Sequence, residues 1–456
     1  MSDTIAAICT PKGAGAIAAI RISGSDSWEI ISKIFAKNTQ SSALKSQHYF
    51  IHMQALYGHI KDGDKVIDEV VVLPYKNPKS FTAEDVMEIF CHGGIRVSEM
   101  ILNVCLKHGA RLAHPGEFTF RAFVNGRVDL TEAEAINDVI NACTDKALHS
   151  ASQVLSGSLK NKVQDFRNKI YSLATSLEGT IEFPLDVEDV NREELSSKLK
   201  FITDELEHLI EDSSEGRVLR EGIKLSIIGE PNVGKSSLLN RLLENERAIV
   251  TNIPGTTRDT IEEKLVLQGW PLVLVDTAGI REHNMLDEAE EYGIQRTKKA
   301  VEKSDLVLLV KDLSKQEEHD SLKLYELIKD KPRIVVGNKV DLIESNGKPR
   351  ACDVEISATQ GTNVAELKLL IIEKIKESIK ARSNNTSIFV NERQKELLVQ
   401  TKTSLQFVME QSKKEIPDDL IADELKKSIS KLDEITGQGV NDDVIKNIFA
   451  KFCVGK

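Results

Sequence analysis

The sequence predicts a multidomain chain: an α+β domain first, then an all-α helical domain into which a doubly wound α/β domain is inserted. Three observations predict it. At 456 residues the chain exceeds what one ordinary core holds, so roughly two to four domains are expected. Its texture changes near residue 130, again at 223 and again near 364. In the third stretch, apolar strand candidates each run straight into a loop carrying Gly, Asp or Asn, where open α/β sheets place their ligands. The expected segments are 1–120, 121–221, 222–376 and 377–456, the second and fourth forming one helical domain.

In the first segment, short apolar runs at 5–8, 16–22 and 70–73 alternate with Gly and Pro, as strands and turns do. Residues 97–108 have helical apolar spacing. Residues 131–140, 147–182 and 192–211 are long, amphipathic and low in Gly and Pro, which predicts helices. After the inserted domain, helices are expected at 366–381, 391–413 and 418–449, the last broken near 437–439, with a linker at 382–386. The helices before and after the insertion are expected to pack together.

Composition excludes several classes. With 41% hydrophobic and 29% charged residues the chain has ample core. No apolar run approaches the roughly 20 residues of a membrane helix. Met1-Ser2-Asp3-Thr4 lacks the basic-then-apolar layout of a signal peptide. The six cysteines (Cys9, Cys91, Cys105, Cys143, Cys352, Cys453) are scattered, with no Cys-x-x-Cys pair. That argues against a zinc ribbon or disulfide framework and for a reducing cytoplasm without stable membrane insertion. A net charge of −11 is the wrong sign for a generic nucleic-acid binder, although a local basic patch would not show in the sum.

The inserted segment carries nucleotide chemistry. A strand candidate at 224–228 leads into Gly229-Glu230-Pro231-Asn232-Val233-Gly234-Lys235-Ser236-Ser237, a G-x-x-x-x-G-K-S phosphate loop. Its glycines let backbone N–H groups face phosphate oxygens; Lys235 would neutralise the β- and γ-phosphates and Ser236 would ligate Mg²⁺. Leu238, Leu239, Leu242 and Leu243 then bury a helix whose N-terminus points at the phosphates. A second strand at 272–275 ends in Asp276-Thr277-Ala278-Gly279, an acid that can hold Mg²⁺ through water and a Gly N–H that can reach the γ-phosphate. A third, at 334–336, precedes Asn338-Lys339-Val340-Asp341. The Asp341 carboxylate can accept from N1–H and the 2-amino group of guanine, donors that adenine lacks. Ser357-Ala358 would meet the base from the other side. Thr251-Asn252-Ile253-Pro254-Gly255-Thr256-Thr257 lies between the first two motifs, with Thr257 as second Mg²⁺ ligand. Together they predict a Ras-like P-loop GTPase domain.

Ras-type enzymes orient the attacking water with a Gln after this Asp-x-x-Gly; here Ile280 follows and offers no hydrogen bond. Glu282 is the candidate to orient or activate water, against the plainer reading of a solvated loop acid. Asn232 can place an oxygen near the β–γ bridge. With Thr251, Ile253 and Thr256 it could hold K⁺, supplying the charge an arginine finger supplies elsewhere; the plainer reading is that Asn232 only stabilises the loop.

These residues resemble the MnmE or TrmE family of tRNA-modification GTPases. The resemblance is carried by Ile253-Pro254-Gly255-Thr256-Thr257-Arg258-Asp259 and 276–282 (DTAGIRE). More telling are 3–24 (DTIAAICTPKGAGAIAAIRISG), 80–94 (SFTAEDVMEIFCHGG), 115–135 (PGEFTFRAFVNGRVDLTEAEA) and the final Phe452-Cys453-Val454-Gly455-Lys456. Departures are small: Lys12 replaces a common Pro, Val454 an Ile or Leu, Gln394 a frequent His. The resemblance implies an N-terminal folate-binding domain, a homodimer, and potassium-dependent GTP hydrolysis with pairing of the two GTPase domains. It also implies an FAD-containing partner of the MnmG or GidA type, in a heterotetramer or larger complex. Together they would add a carboxymethylaminomethyl or aminomethyl group to C5 of the tRNA wobble uridine. The carbon would come from a tetrahydrofolate derivative (5-formyl- or 5,10-methylene-tetrahydrofolate).

By the same resemblance, folate contacts fall on Arg21, Glu84, Arg127 and Lys456. Arg suits the glutamate-tail carboxylates and Glu the pterin N–H edge. Unaided, Arg21 and Arg127 would be surface charges and Glu84 the start of a helix after Thr82. Cys453 is either a small buried hydrophobe or, as the resemblance implies, a thiol near the folate carbon for covalent chemistry. The rival readings are a GTP-switched RNA-binding or ribosome-assembly GTPase, and a membrane-remodelling GTPase. The first would carry a basic module and the second an amphipathic tip, and neither stands in the sequence.

Overall fold

The computed structural model describes residues 3–37, 50–183, 185, 190–244, 263–275, 298–315, 325–343, 351–379, 388, 390–414 and 416–456. Two compact units emerge. One holds Met1–Asn137, Leu155–Ile181 and Ala422–Lys456; the other holds Asp138–Val154 and Glu182–Ile421.

The first unit is built on a seven-stranded sheet of order β3-β4-β5-β6-β2-β1-β7. Its strands are β1 (Ile5–Ile8), β2 (Ile17–Ser23), β3 (Phe35–Ala36), β4 (Leu56–Asp62), β5 (Lys65–Tyr75), β6 (Val86–His92) and β7 (Arg111–Leu112). Only β1–β7 pairs in parallel. Period-two alternation assigns the faces. Ile20 and Ile22 of β2 and Met87 and Ile89 of β6 are fully buried in one cluster with residues of α1 (Ser27–Ile34) and α2 (Ile95–Lys107). Each such side chain contributes about 1.5–3 kcal/mol by leaving water. Arg21, Ser23 and Glu88 therefore stand on the other face. There Ile5 and Ala7 of β1 join Ala113, Phe118 and Phe81 in a separate cluster under α3 (Glu117–Val124). The expected helix start after Thr82 does not exist: residues 80–85 form a loop into β6, with Ala83 at φ +57°.

The helices follow as α4 (Leu130–Asn141), α5 (Asp145–Leu155), α6 (Ser158–Glu182) and α7 (Arg192–Glu221). Two expectations are corrected. The single helix over 147–182 is two helices, because Gly157 takes φ +88°, where a right-handed helix cannot continue. The helix expected over 192–211 runs on to Glu221, through polar residues whose pattern hid it. It opens on an Asn191 cap that accepts from the N–H groups of Glu193 and Glu194. Beyond the insertion come α9 (Val364–Ile379), α10 (Glu392–Gln411), α11 (Asp418–Thr436) and α12 (Asp442–Phe449). Gln394 closes a capping box with Asn391 at the start of α10. In the second unit α7 packs along α10, with Lys402 bridging to Glu207 at 2.8 Å. In the first, Arg167 of α6 meets Asp433 of α11 at 2.6 Å. Helices from before and after the insertion thus do pack together. The expected linker at 382–386 lies outside the described residues.

The second unit contains a six-stranded sheet of order β13-β12-β11-β8-β10-β9. Its strands are β8 (Ile223–Ile228), β9 (Glu263–Leu267), β10 (Trp270–Leu274), β11 (Leu306–Asp312), β12 (Arg333–Asn338) and β13 (Val354–Glu355). All neighbours are parallel except β9–β10. Strands β8, β11 and β12 are near-continuous buried apolar runs, as a sheet covered on both faces requires. The strand order reverses between β8 and β11, so the ligand crevice belongs at their carboxyl ends.

Candidate functional site

The phosphate-loop residues lie at that crevice. β8 ends at Ile228, and the loop carries Asn232 at φ +64° and Gly234 at φ +98° before α8 (Lys235–Glu244) begins. A Cβ on Gly234 would run into the Asn338 amide, so the loop and the base-side motif are in direct contact. Lys235 Nζ donates to the carbonyls of Gly229 (2.9 Å) and Glu230 (2.7 Å), which hold it over the loop. Burial lowers its pKa from the ordinary lysine value, with Glu230 opposing. Ser236 and Ser237 occupy the first turn of α8, where N–H groups and the helix dipole favour anions.

Asn338 is 3% exposed, and both ends of its amide are engaged. Nδ2 donates to Val233 O at 2.8 Å, and Oδ1 accepts from Ala358 N at 3.0 Å. It therefore ties the phosphate loop to the Ser357-Ala358 loop. Lys339, at φ +67°, reaches Asp312 Oδ2 at 2.6 Å. Burial works to raise the Asp312 pKa, but the Lys339 and Ser314 bonds prevail and hold it below the ordinary carboxylate value. Val340–Leu342 form a short 3-10 turn that leaves Asp341 exposed. Arg241 of α8 donates Nε to Ala358 O at 3.1 Å, bracing the base-side loop from behind. Asp312 and Arg241 escaped the sequence reading. Asp312 ends the strand whose apolar run, Leu306 to Val310, stops just before Lys311-Asp312, which was the available signal. Thr251, Asn252, Ile253, Pro254, Gly255, Thr256, Thr257, Asp276, Thr277, Ala278, Gly279 and Glu282 lie outside the described residues.

A second constellation sits on the open face of the seven-stranded sheet. Arg21 pairs with Glu88, its cross-strand neighbour, at 2.8 Å, and lies 4.4 Å from the Phe81 ring and 5.5 Å from the Phe118 ring. Arg127 stands 4.7 Å from the same Phe81 ring. Burial of one side and then the nearby Arg21 charge lower the Arg127 pKa. Arg21 is thus no surface charge, although Arg127 keeps an exposed side. Glu84 accepts from Ser23 Oγ at 2.7 Å and from Arg121 at 3.1 Å.

The chain end docks beside this group. Gly116 N donates to Cys453 O and Phe118 N to Lys456 O, at 3.3 and 3.2 Å, at the start of α3. Cys9 donates its thiol to Gly455 O at 3.3 Å. Burial pushes the Cys9 thiol up from its ordinary pKa, against the Arg21 charge, so it remains a thiol donor. Phe452 packs with Phe449, Leu130 and Ala133. Cys453 itself is exposed, which overturns the buried-hydrophobe reading. Arg21, Glu84, Arg127 and Lys456 thus gather around α3 and Phe81. Sequence reasoning missed Phe81, Glu88 and Arg121, although all three lie inside the quoted motifs.

Known proteins match the chain along nearly its whole length. The model described as "GTP-binding protein TrmE N-terminus" matches residues 4–127, and the "MnmE helical domain" matches 130–453. The "tRNA modification GTPase MnmE" of Thermotoga petrophila is 40% identical over 462 residues, covering 100% of both chains. That of Lactobacillus helveticus is 41% identical, covering 100% of this chain and 98% of its own. Among solved structures, the G domain of the T. maritima FeoB iron transporter is 26% identical over 34% of this chain and 98% of its own, with a TM-score of 0.24. The phosphate loop and its base-side partner give the chain its GTPase character. With 40% identity sustained from end to end, the chain belongs to the MnmE family of tRNA modification GTPases.

Proposed function

We propose that the chain is a potassium-dependent GTP hydrolase that drives the modification of tRNA wobble uridines. With an FAD-containing partner of the MnmG or GidA type it adds a carboxymethylaminomethyl or aminomethyl group to C5. The carbon comes from 5-formyl- or 5,10-methylene-tetrahydrofolate. It acts as a cytoplasmic homodimer, joined to that partner in a heterotetramer or larger complex. Among the described residues no helix is long and apolar enough to cross a membrane.

The observation that carries this reading is the Arg21–Phe81–Arg127 stack. Arg21 Nη1 is buried there with no hydrogen-bond partner. A buried guanidinium N–H without an acceptor is costly, and a folate carboxylate or pterin oxygen would supply one. Arg21, Arg127 and Lys456 bind the anionic parts of the folate, and Glu84 accepts from its pterin edge. Cys453, exposed beside them, is the thiol for a covalent step. In the GTPase domain Lys235 neutralises the phosphates, Ser236 and Thr257 hold Mg²⁺, and Asp341 selects guanine. Asn232 with Thr251, Ile253 and Thr256 holds K⁺, and Glu282 orients water in place of the missing Gln.

The deciding experiment is nucleoside analysis of tRNA from cells lacking the chain. Wobble uridines without the C5 group, restored by the intact gene, are expected; unchanged modification overturns the reading. Hydrolysis faster in K⁺ than in Na⁺ is the matching result for the nucleotide half.

A further inference from the structure

Arg121 is a fully buried cation that the chemistry above does not use, being 1% exposed at the centre of α3. Its Nη1 donates to both oxygens of Glu84, at 3.3 Å to Oε1 and 3.1 Å to Oε2, and to Asp3 O at 2.9 Å. Its Nη2 donates to Asp3 Oδ1 at 2.9 Å and Glu117 Oε1 at 3.1 Å. Arg111 closes the network from outside, bonding both Glu117 oxygens and Asp3. Two of the acids are thus shared between two arginines, whereas Glu84 has Arg121 alone.

Glu84 is also gripped by the end of β2 and by its own loop. Ser23 Oγ donates to Oε2 at 2.7 Å, while Thr82 Oγ1 accepts from Glu84 N at 3.3 Å. Asn125, at the end of α3, donates to Thr82 O at 2.8 Å. Oε2 therefore has two good donors and Oε1 one long bond. A carboxylate oxygen accepts about two hydrogen bonds, so Oε1 keeps a lone pair for an outside N–H.

We infer that Arg121 is a positioning residue for ligand selection: with Ser23 it fixes the Glu84 carboxylate so that Oε1 receives the amino-pyrimidinone N–H edge of a reduced folate. This rests on the folate reading proposed above. α3 then sets three parts of one site, with Glu84 held through Arg121, the chain end held through Gly116 and Phe118 N–H, and Arg127 just beyond its last turn. A site that aligns an acceptor to a ligand N–H rejects the analogue lacking that donor far more strongly than it gains affinity for the correct one.

The test is titration of the full chain with 5-formyl-tetrahydrofolate and with its 2-desamino counterpart. Three proteins are compared: wild type, Arg121→Lys and Ser23→Ala. Wild type is expected to prefer the amino ligand at least about tenfold. Both variants are expected to lose most of that ratio while still binding 5-formyl-tetrahydrofolate. A merely structural role would weaken both ligands equally and leave the ratio at its wild-type value; that result overturns the inference. Should Arg121→Lys fail to fold, Ser23→Ala decides alone, because it removes one neutral hydroxyl and no buried charge. A wild type that binds folate without discrimination also overturns it. A wild type that binds no folate overturns the folate reading itself, a distinct outcome.

Discussion

In the GTPase domain, Lys235 is held by carbonyls six and five residues away, whereas around α3 Cys9 reaches Gly455 across 446 residues and Arg121 reaches Asp3 across 118. The first region is made largely of backbone groups from consecutive residues, set by a strand, a loop and a helix in immediate succession. The second is made of side chains that meet only after one sheet face, one helix and the chain end are in place. A site of the first kind survives as a contiguous pattern. One of the second kind is scattered over the chain, and its members look like ordinary surface or core residues until the fold assembles them. The two should also fail differently. Damage to the loop removes a charge at the phosphates, while damage at the chain end releases a docked segment.

Substitutions can break or sharpen that contrast. The largest effect is expected from Lys235→Ala, which removes an ammonium held over the loop. The kcat/KM for GTP should fall about 10²–10³-fold, or about 3–4 kcal/mol of transition-state stabilisation. Folate affinity should stay at the wild-type value; a parallel loss would show that the regions are not separable. Next comes Asp341→Asn, which turns an acceptor pair into an acceptor and a donor. Competition between GTP and xanthosine triphosphate should shift about 10²-fold toward the xanthine base, and an unaltered preference would place base selection elsewhere.

Gly455→Ala tests the assembled region. Gly455 has φ +96°, and a Cβ there would come 2.5 Å from Ile8 O. Undocking should cost about 1–3 kcal/mol and weaken reduced-folate binding measured by calorimetry, with GTP hydrolysis unchanged. Wild-type folate affinity in that variant would show the chain end to be dispensable for the site.

The smallest effect is a pair on the sheet, whose reach of 24 residues lies between those of the phosphate loop and the chain end. The His92 imidazole meets Asp68 at 2.7 Å. That bond, and then the Asp68 charge, raise its pKa above the ordinary 6.5. The stabilisation is fully present below the unfolded-state value and is lost as pH rises through the raised folded value. An NMR titration should show the His92 midpoint above 6.5 in the wild type and lower in Asp68→Asn; equal midpoints would remove the pair from the account.

Legibility followed the same division. The strand at 224–228, the phosphate loop and the helix after it stand in the structure where their pattern puts them, because strand, glycine turn and dipole-aligned helix are all local preferences. Asn338 was legible as a motif residue but not in its role. Its amide is fully engaged between Val233 and Ala358, so its contribution is to hold two loops together. Asp312 was concealed as an ordinary strand-end acid after Lys311, since its need for Lys339 appears only when β11 and β12 lie in register. The break at Gly157 was missed because a single glycine in an amphipathic stretch is compatible with a continuous helix until packing selects φ +88°.

By itself the sequence determined that the apolar runs at 5–8, 16–22 and 70–73 form strands. It also determined where the phosphate loop begins and that the loop is followed by a buried helix. Each of these depends on spacing along the chain, and spacing is what a sequence records. Only the tertiary structure decided that Arg21 stacks on Phe81 and that Arg121 grips Glu84. It likewise decided that Cys9 bonds to Gly455 and that Cys453 faces solvent. Those contacts exist because burial of Ile5, Ala7, Phe118 and Phe452 brings distant segments together. The charged groups they carry must then satisfy one another, since a buried ion without a partner is too costly to keep.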